Sequence, residues 1–191
     1  MSEKAVGEKT PIVSIRLIIV AAIFGILALI IVVAGFTLPI PGTGVVTDPR
    51  ELFTTIGSAL TGPVGAVIIG VLAGVMEPEG IGAASVLAHV MGCLWMGFTY
   101  KKLVYGRPQF AVRLVGWALL VIVYYLVTVL GFVIGIALFY PAYYTEGFGD
   151  ISLPQAYMAL MGGVIPEVIF TTIVTTLVMV ALPRKYQKPL W

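Results

Sequence analysis

The sequence predicts an all-α integral membrane protein, a bundle of six transmembrane helices with two short central ones, and three observations carry that expectation. First, the 191 residues are 60% hydrophobic and only 10% charged, with a mean hydropathy of +1.07. A soluble core of this size cannot hide that much apolar surface, so lipid must be the solvent. Second, the apolar runs thread as six spans separated by short polar connections. Third, of the eleven Lys and Arg residues, all but Arg50 then fall on one side: Lys4, Lys9, Arg16, Lys101, Lys102, Arg107, Arg113, Arg184, Lys185 and Lys188. The opposite connections carry Asp48, Glu51, Glu77, Glu79, Glu146 and Asp150. The positive-inside rule counts Lys and Arg near span ends, so both termini are expected in the cytoplasm, in a multi-pass protein of the cell membrane.

The first span runs from about Ser14 to Phe36, long enough for a hydrocarbon layer of roughly 30 Å. Its apolar run is longer than the core of a signal peptide, about 7–15 residues, so it is expected to be retained. Two prolines and two glycines in Thr37-Leu-Pro-Ile-Pro-Gly-Thr-Gly44 end the helix in an outer loop. Asp48-Pro49 then reads as a helix start, with Asp48 as the N-cap, carrying the chain to Leu60. Thr61-Gly62-Pro63 breaks it, and a second short helix runs from Val64 to Met76. Neither piece has about 20 apolar residues, so 51–76 either crosses twice or forms a re-entrant hairpin; both return the chain to the same side. Ala83 to Tyr100, Ala111 to Tyr140 and Pro154 to Leu182 complete the set. Residues 1–191 thus form a single membrane domain with short cytoplasmic tails at 1–11 and 183–191.

Several function classes are disfavoured. The net charge of +2 is small and segregated by side, which gives no support to nucleic-acid binding. The lone Cys93 allows neither an internal disulfide nor a cysteine zinc site. No Asp lies within a span, there is one His, and no phosphate-binding glycine loop is present. The expectation is a protein that is not an enzyme and needs no metal or other cofactor.

Two small-residue stripes stand out. Gly62, Ala66, Gly70 and Gly74 line one helical face, and so do Ala21, Gly25, Ala28 and Gly35, with Val32 completing the spacing, on the first span. In lipid, apolar burial gives helices no reason to associate, and small residues let backbones approach instead. The first-span stripe serves either packing within the chain or docking of another membrane protein. Two ionisable groups lie inside spans, His89 and Glu167. A charge at the bilayer centre costs on the order of 2.5–3.5 kcal/mol, so Glu167 is expected to face a polar cavity or a partner helix. His89 is read as either a ligand contact or a neutral imidazole bonded to a backbone carbonyl. Pro166 frees the carbonyl of Gly162, a loosened turn of the kind found beside cavities. Tyr140, Tyr143, Tyr144, Phe148 and Tyr157 cluster near the outer end of the last helices and suit a planar organic ring, although aromatic residues there also act as interface anchors.

The whole layout resembles the substrate-binding S component of an energy-coupling factor (ECF) transporter. The resemblance rests on Ala21/Gly25/Ala28, on Gly62-Pro63-x-Gly65-x4-Gly70-x3-Gly74, on Leu87-Ala-His-Val-Met-Gly92-x4-Gly97 ending in Lys101-Lys102, and on Ile165-Pro166-Glu167. It implies a specificity subunit that binds a vitamin or similar micronutrient at the outer side. Partners implied are a transmembrane coupling subunit, docked on Ala21, Gly25 and Ala28, and two ATPase subunits. Solute contacts are expected from Glu167, His89, Tyr140, Tyr143, Tyr144 and Tyr157. The family's first-helix motif is usually Ala-x-x-x-Ala, and Gly25 departs from it; Met1-Ser2 lacks the Met-His start of metal-specific members, which points away from cobalt or nickel. The rival expectation is a membrane sensor or assembly factor with a ligand-binding outer face.

Overall fold

The fold was derived from a computed structural model, which describes residues 14–44 and 46–191. Lys4, Lys9 and the expected 1–11 tail lie outside the described residues. Helix α1 spans Ile15–Val33 and is opened by Ser14, whose hydroxyl accepts the Leu17 N–H at 3.2 Å. One face buries Leu17, Ala21, Gly25, Ala28 and Val32, while Ile19, Ile23 and Ile30 stay exposed. That second face is suited to lipid. A two-stranded ribbon, β1 (Leu38–Pro39) antiparallel to β2 (Val46–Thr47), closes the following loop.

Helix α2, Arg50–Gly74, contains a reversal. A straight helix of that length would be about 37 Å long. Yet Arg50 Nη1 lies 3.1 Å from the Ala73 carbonyl and 2.9 Å from Glu77 Oε2, so its two ends are neighbours. The turn is made at Gly62, with φ 70° and ψ −166°, followed by Pro63. An L side chain is disfavoured at such a φ, and a Cβ there would also meet the Trp191 ring. The two limbs, 50–61 and 63–74, are the two short helices that the Gly62-Pro63 break predicts.

Helix α3 (Gly82–Tyr100) continues through a π-helical turn at Lys101–Tyr105 and lies antiparallel to the second limb of α2. Gly74 faces Ser85 and Val86, Gly70 faces Val90, and Gly97 faces Gly62. Helix α4 (Phe110–Phe139) packs on α3, and α6 (Leu153–Ala181) packs on α4. Between them sits α5 (Pro141–Phe148), a short helix where the sequence predicts only loop. α1, α2, α3 with its π turn, α4 and α6 are long and apolar enough to cross a membrane. The molecule is an all-α membrane protein.

The bundle has two distinct ends. At one, Ser14, Arg16, Leu60, Lys185, Lys188 and Leu190 surround a common hollow, and the Leu190 N–H donates to the Leu60 carbonyl at 2.8 Å. Tyr100 Oη donates to the Gln187 carbonyl at 2.9 Å, and Lys101 Nζ to that of Trp191 at 3.0 Å. The start of α1, the α2 turn, the end of α3 and the C-terminal segment therefore share this basic end. The opposite end gathers the ribbon, both ends of α2, the start of α3, α5 and the start of α6.

Candidate functional site

At that opposite end a cavity of about 200 Å³ opens among α2, α3, α4 and α6. Its polar wall is Asp48, Arg50, Glu51, Glu77, Ser85, His89, Tyr125, Thr128 and Glu167, and its apolar wall is Ala88, Val129, Phe132, Leu160 and Val164. The first turn of α2 supplies Arg50 and Glu51; Pro49 takes the N-cap position expected of Asp48, which lies one residue earlier and still binds the helix start. Asp48 Oδ1 accepts the Arg50 N–H at 2.9 Å.

Arg50 organises the mouth. Its Nε lies 2.8 Å from Asp48 Oδ2 and its Nη1 2.9 Å from Glu77 Oε2, which also accepts the Ser85 hydroxyl at 2.8 Å. These contacts tie the start of α2 to the loop after it and to α3. Burial pushes the Asp48 carboxyl above its ordinary range, against the pull of Arg50. Burial opposes the charge on Glu77 as well, but Arg50 and the hydrogen bonds from Arg50 and Ser85 outweigh it and hold that carboxyl below the usual range.

Deeper in, His89 Nε2 lies 3.1 Å from Glu51 Oε1, and both side chains are more than nine-tenths buried. Glu51 Oε2 accepts the Tyr124 hydroxyl and the Thr54 hydroxyl, the latter at 2.8 Å. His89 Nδ1 lies 2.7 Å from the Ser85 carbonyl, which can only accept, so Nδ1 carries a hydrogen. One further proton is then shared between Nε2 and Oε1. The pair is neutral overall whichever atom holds it. This assignment also bears on chemistry: Ser85, His89 and Glu51 are close, but the ring offers Ser85 a hydrogen and no lone pair. The Ser85 hydroxyl itself donates to Glu77, so the cluster lacks the geometry of an activated serine.

Across the cavity, Glu167 Oε1 accepts the Tyr125 hydroxyl at 3.2 Å, and Tyr125 also reaches Thr171 Oγ1 at 2.9 Å. The structure thus brings together Glu167 and His89, the two intraspan ionisable residues. The tyrosines are placed differently. Tyr140 Oη accepts the Ala83 N–H at 3.2 Å, joining α4 to α3 beside a separate surface hollow. Tyr143 donates to Glu79, Tyr144 to the Ile151 carbonyl at 2.9 Å, and Tyr157 to the Leu126 carbonyl at 3.4 Å. Tyr144, Phe148 and Tyr157 pack on Val129, Val133 and Ala156, so they back the cavity's apolar wall without lining it. Gly162 and Gly163, beside the Pro166 turn, have no neighbour near a would-be Cβ and face away from the bundle.

Ala21, Gly25 and Ala28 do not form a free docking face. They are buried against α2, where a Cβ on Gly25 would come within 2.6 Å of Leu72 Cδ1. Of the two uses left open by the stripe, the structure shows packing within the chain.

Arg50, Glu51, Glu77 and Ser85 are cavity residues that the sequence reading did not single out as site residues. One signal for them was present: Arg50 is the only base among the acids of its side, and an isolated cation there calls for local partners. Comparisons with protein-family models, with curated proteins and with solved structures each found no match.

Proposed function

We propose that the chain is the substrate-specificity subunit of an ECF-type importer, capturing a vitamin-like micronutrient from outside and delivering it through a coupling subunit energised by ATPases. The observation that carries this reading is the polar cavity at the end of the bundle opposite the basic, terminus-bearing end. A water-poor apolar bundle keeps charged side chains at such depth where they line a solute path or site. With the basic end in the cytoplasm, the α2 limbs count as two short crossings, the chain crosses six times, and the cavity faces outward. The chain itself supplies recognition; the driving reaction belongs to its partners.

Orientation is checked by thiol labelling in intact cells, where native Cys93 is buried and silent. Cysteines replacing Thr43 and Gly147 should react with an impermeant reagent, and one replacing Lys188 should not. Coupling is checked by mild solubilisation of a tagged chain from its own host. Co-purified ATPase and transmembrane subunits, with solute uptake lost on deletion of the chain, are expected. A chain that purifies alone, with uptake of every tested micronutrient unchanged by its deletion, would exclude the importer role and leave the sensor or assembly reading.

A further inference from the structure

This inference rests on the cavity being the solute site and names the class of solute it takes. Charge around the cavity is unbalanced. Glu51 and His89 contribute nothing as a pair, because they share one proton. Arg50 supplies one positive charge, and it is already spent on two carboxylates, Asp48 at 2.8 Å and Glu77 at 2.9 Å. Glu167 stands on the other wall with no ion pair among the described residues, accepting the Tyr125 hydroxyl. The three carboxyl groups of Asp48, Glu77 and Glu167 outnumber the single guanidinium of Arg50. The excess lies on the α6 side, where Glu167 has no cation against it among the described residues.

A carboxylate in a low-dielectric site is stabilised by a cation far more than by a hydroxyl. The apolar part of the cavity wall includes Val129, Phe132, Leu160 and Val164. Those walls do not suit a hydrated metal ion, and no cluster of three or more His, Cys, Asp or Glu able to hold one occurs among the described residues. The volume of about 200 Å³ is smaller than the roughly 300–1,000 Å³ of pockets for drug-sized molecules, so the guest is compact. The geometry points to a small organic cation, an ammonium or amidinium group set against Glu167 with a compact apolar body lying along Phe132 and Val164. A solute anion would meet the unpaired carboxylate and is excluded by the same charge.

Three near-isosteric probes test this on the purified full-length protein: benzamidinium, benzamide and benzoate, which share a planar body and differ in charge. Titration calorimetry and thermal melting at millimolar probe should show benzamidinium binding and raising the melting temperature. Benzamide should bind at least about tenfold more weakly, having lost a charge-assisted contact, and benzoate should not bind. In Glu167→Gln the benzamidinium affinity should fall to the benzamide level. The wild-type series decides the charge preference even where the variant folds poorly; the variant assigns the charge to Glu167. Equal binding of benzamide and benzamidinium, or a preserved cation preference in a folded Glu167→Gln protein, would overturn the proposal. Tighter binding of benzoate would overturn it too while leaving a solute site standing. Absence of binding by all three would overturn the cation class, and co-purification of the ATPases would then judge the importer reading separately.

Discussion

The seam between α2 and α3 and the seam between α4 and α6 solve the same problem in opposite ways. Along the first, backbones touch: a Cβ on Gly70 would come within 2.6 Å of Val90 Cα, and one on Gly74 within 2.5 Å of the Ser85 carbonyl carbon. Along the second, side chains bridge the helices, with Trp117 Nε1 donating to Thr175 Oγ1 at 3.1 Å and Tyr125 Oη lying 2.9 Å from Thr171 Oγ1. Lipid tails are as apolar as leucine, so neither seam gains from the hydrophobic effect. One relies on close packing and the other on interhelical hydrogen bonds. The difference explains where the cavity lies. Helices joined through Tyr125 leave room between them, and the void is bounded on the α6 side by Glu167 and on the α2–α3 side by charges already paired.

The largest expected effect comes from adding bulk to the close seam. Gly74→Leu would drive a side chain into the backbone at Ser85 and Val86, which cannot yield as a flexible side chain can. Loss of monodisperse, folded protein on size-exclusion chromatography is expected. Gly25→Leu meets the end of the Leu72 side chain, so the expected cost is about 1–3 kcal/mol, read as a lowered melting temperature. If Gly74→Leu is harmless, the contrast between the seams is wrong.

Next comes the buried pair. His89→Leu should destabilise by about 3–5 kcal/mol, because Glu51 is left with no ring to share its proton. Adding Glu51→Leu to it should recover a large part of that loss, as removal of both members of a buried pair often does. A double variant no better than the single one would mean that Tyr124 and Thr54, and not His89, set the stability of this cluster.

The smallest effect belongs to the α4–α6 seam. Thr175→Val keeps shape and removes one interhelical acceptor, at an expected cost of about 0.6 kcal/mol, the average for such bonds in a membrane. Melting of this variant beside Gly25→Leu places the two seams on one scale. A Thr175→Val cost equal to or larger than that of Gly25→Leu would reverse their ranking.

Most of the helical layout was legible because lipid imposes length and composition on anything that crosses it. Expected spans at Ala83–Tyr100, Ala111–Tyr140 and Pro154–Leu182 correspond to Gly82–Tyr100, Phe110–Phe139 and Leu153–Ala181. The Gly62-Pro63 break was legible as well, since Pro63 cannot donate and only glycine favours the reversed φ before it. α5 was not, because Tyr143-Tyr144-Thr-Glu-Gly-Phe reads as polar loop and its side chains pack on Val129, Val133 and Ala156 of the flanking helices α4 and α6. The site was half legible. Glu167 and His89 betray themselves as ionisable groups in apolar runs. Glu51 and Glu77 look like ordinary loop acids, and only the return of α2 at Gly62 brings Glu77 to Arg50 and sets Glu51 beside His89. Tyr140, Tyr143, Tyr144 and Tyr157 do not line the cavity, because clustering in sequence near one membrane face does not fix which way a ring points.

The most direct test of solute capture is native mass spectrometry of the protein purified gently from its own membranes, run beside Glu167→Leu. Expected is a wild-type species carrying a small non-covalent guest, with the guest absent from a variant that still folds. A bare wild-type protein, or the same guest retained in both proteins, would contradict the assignment of this cavity as the solute site.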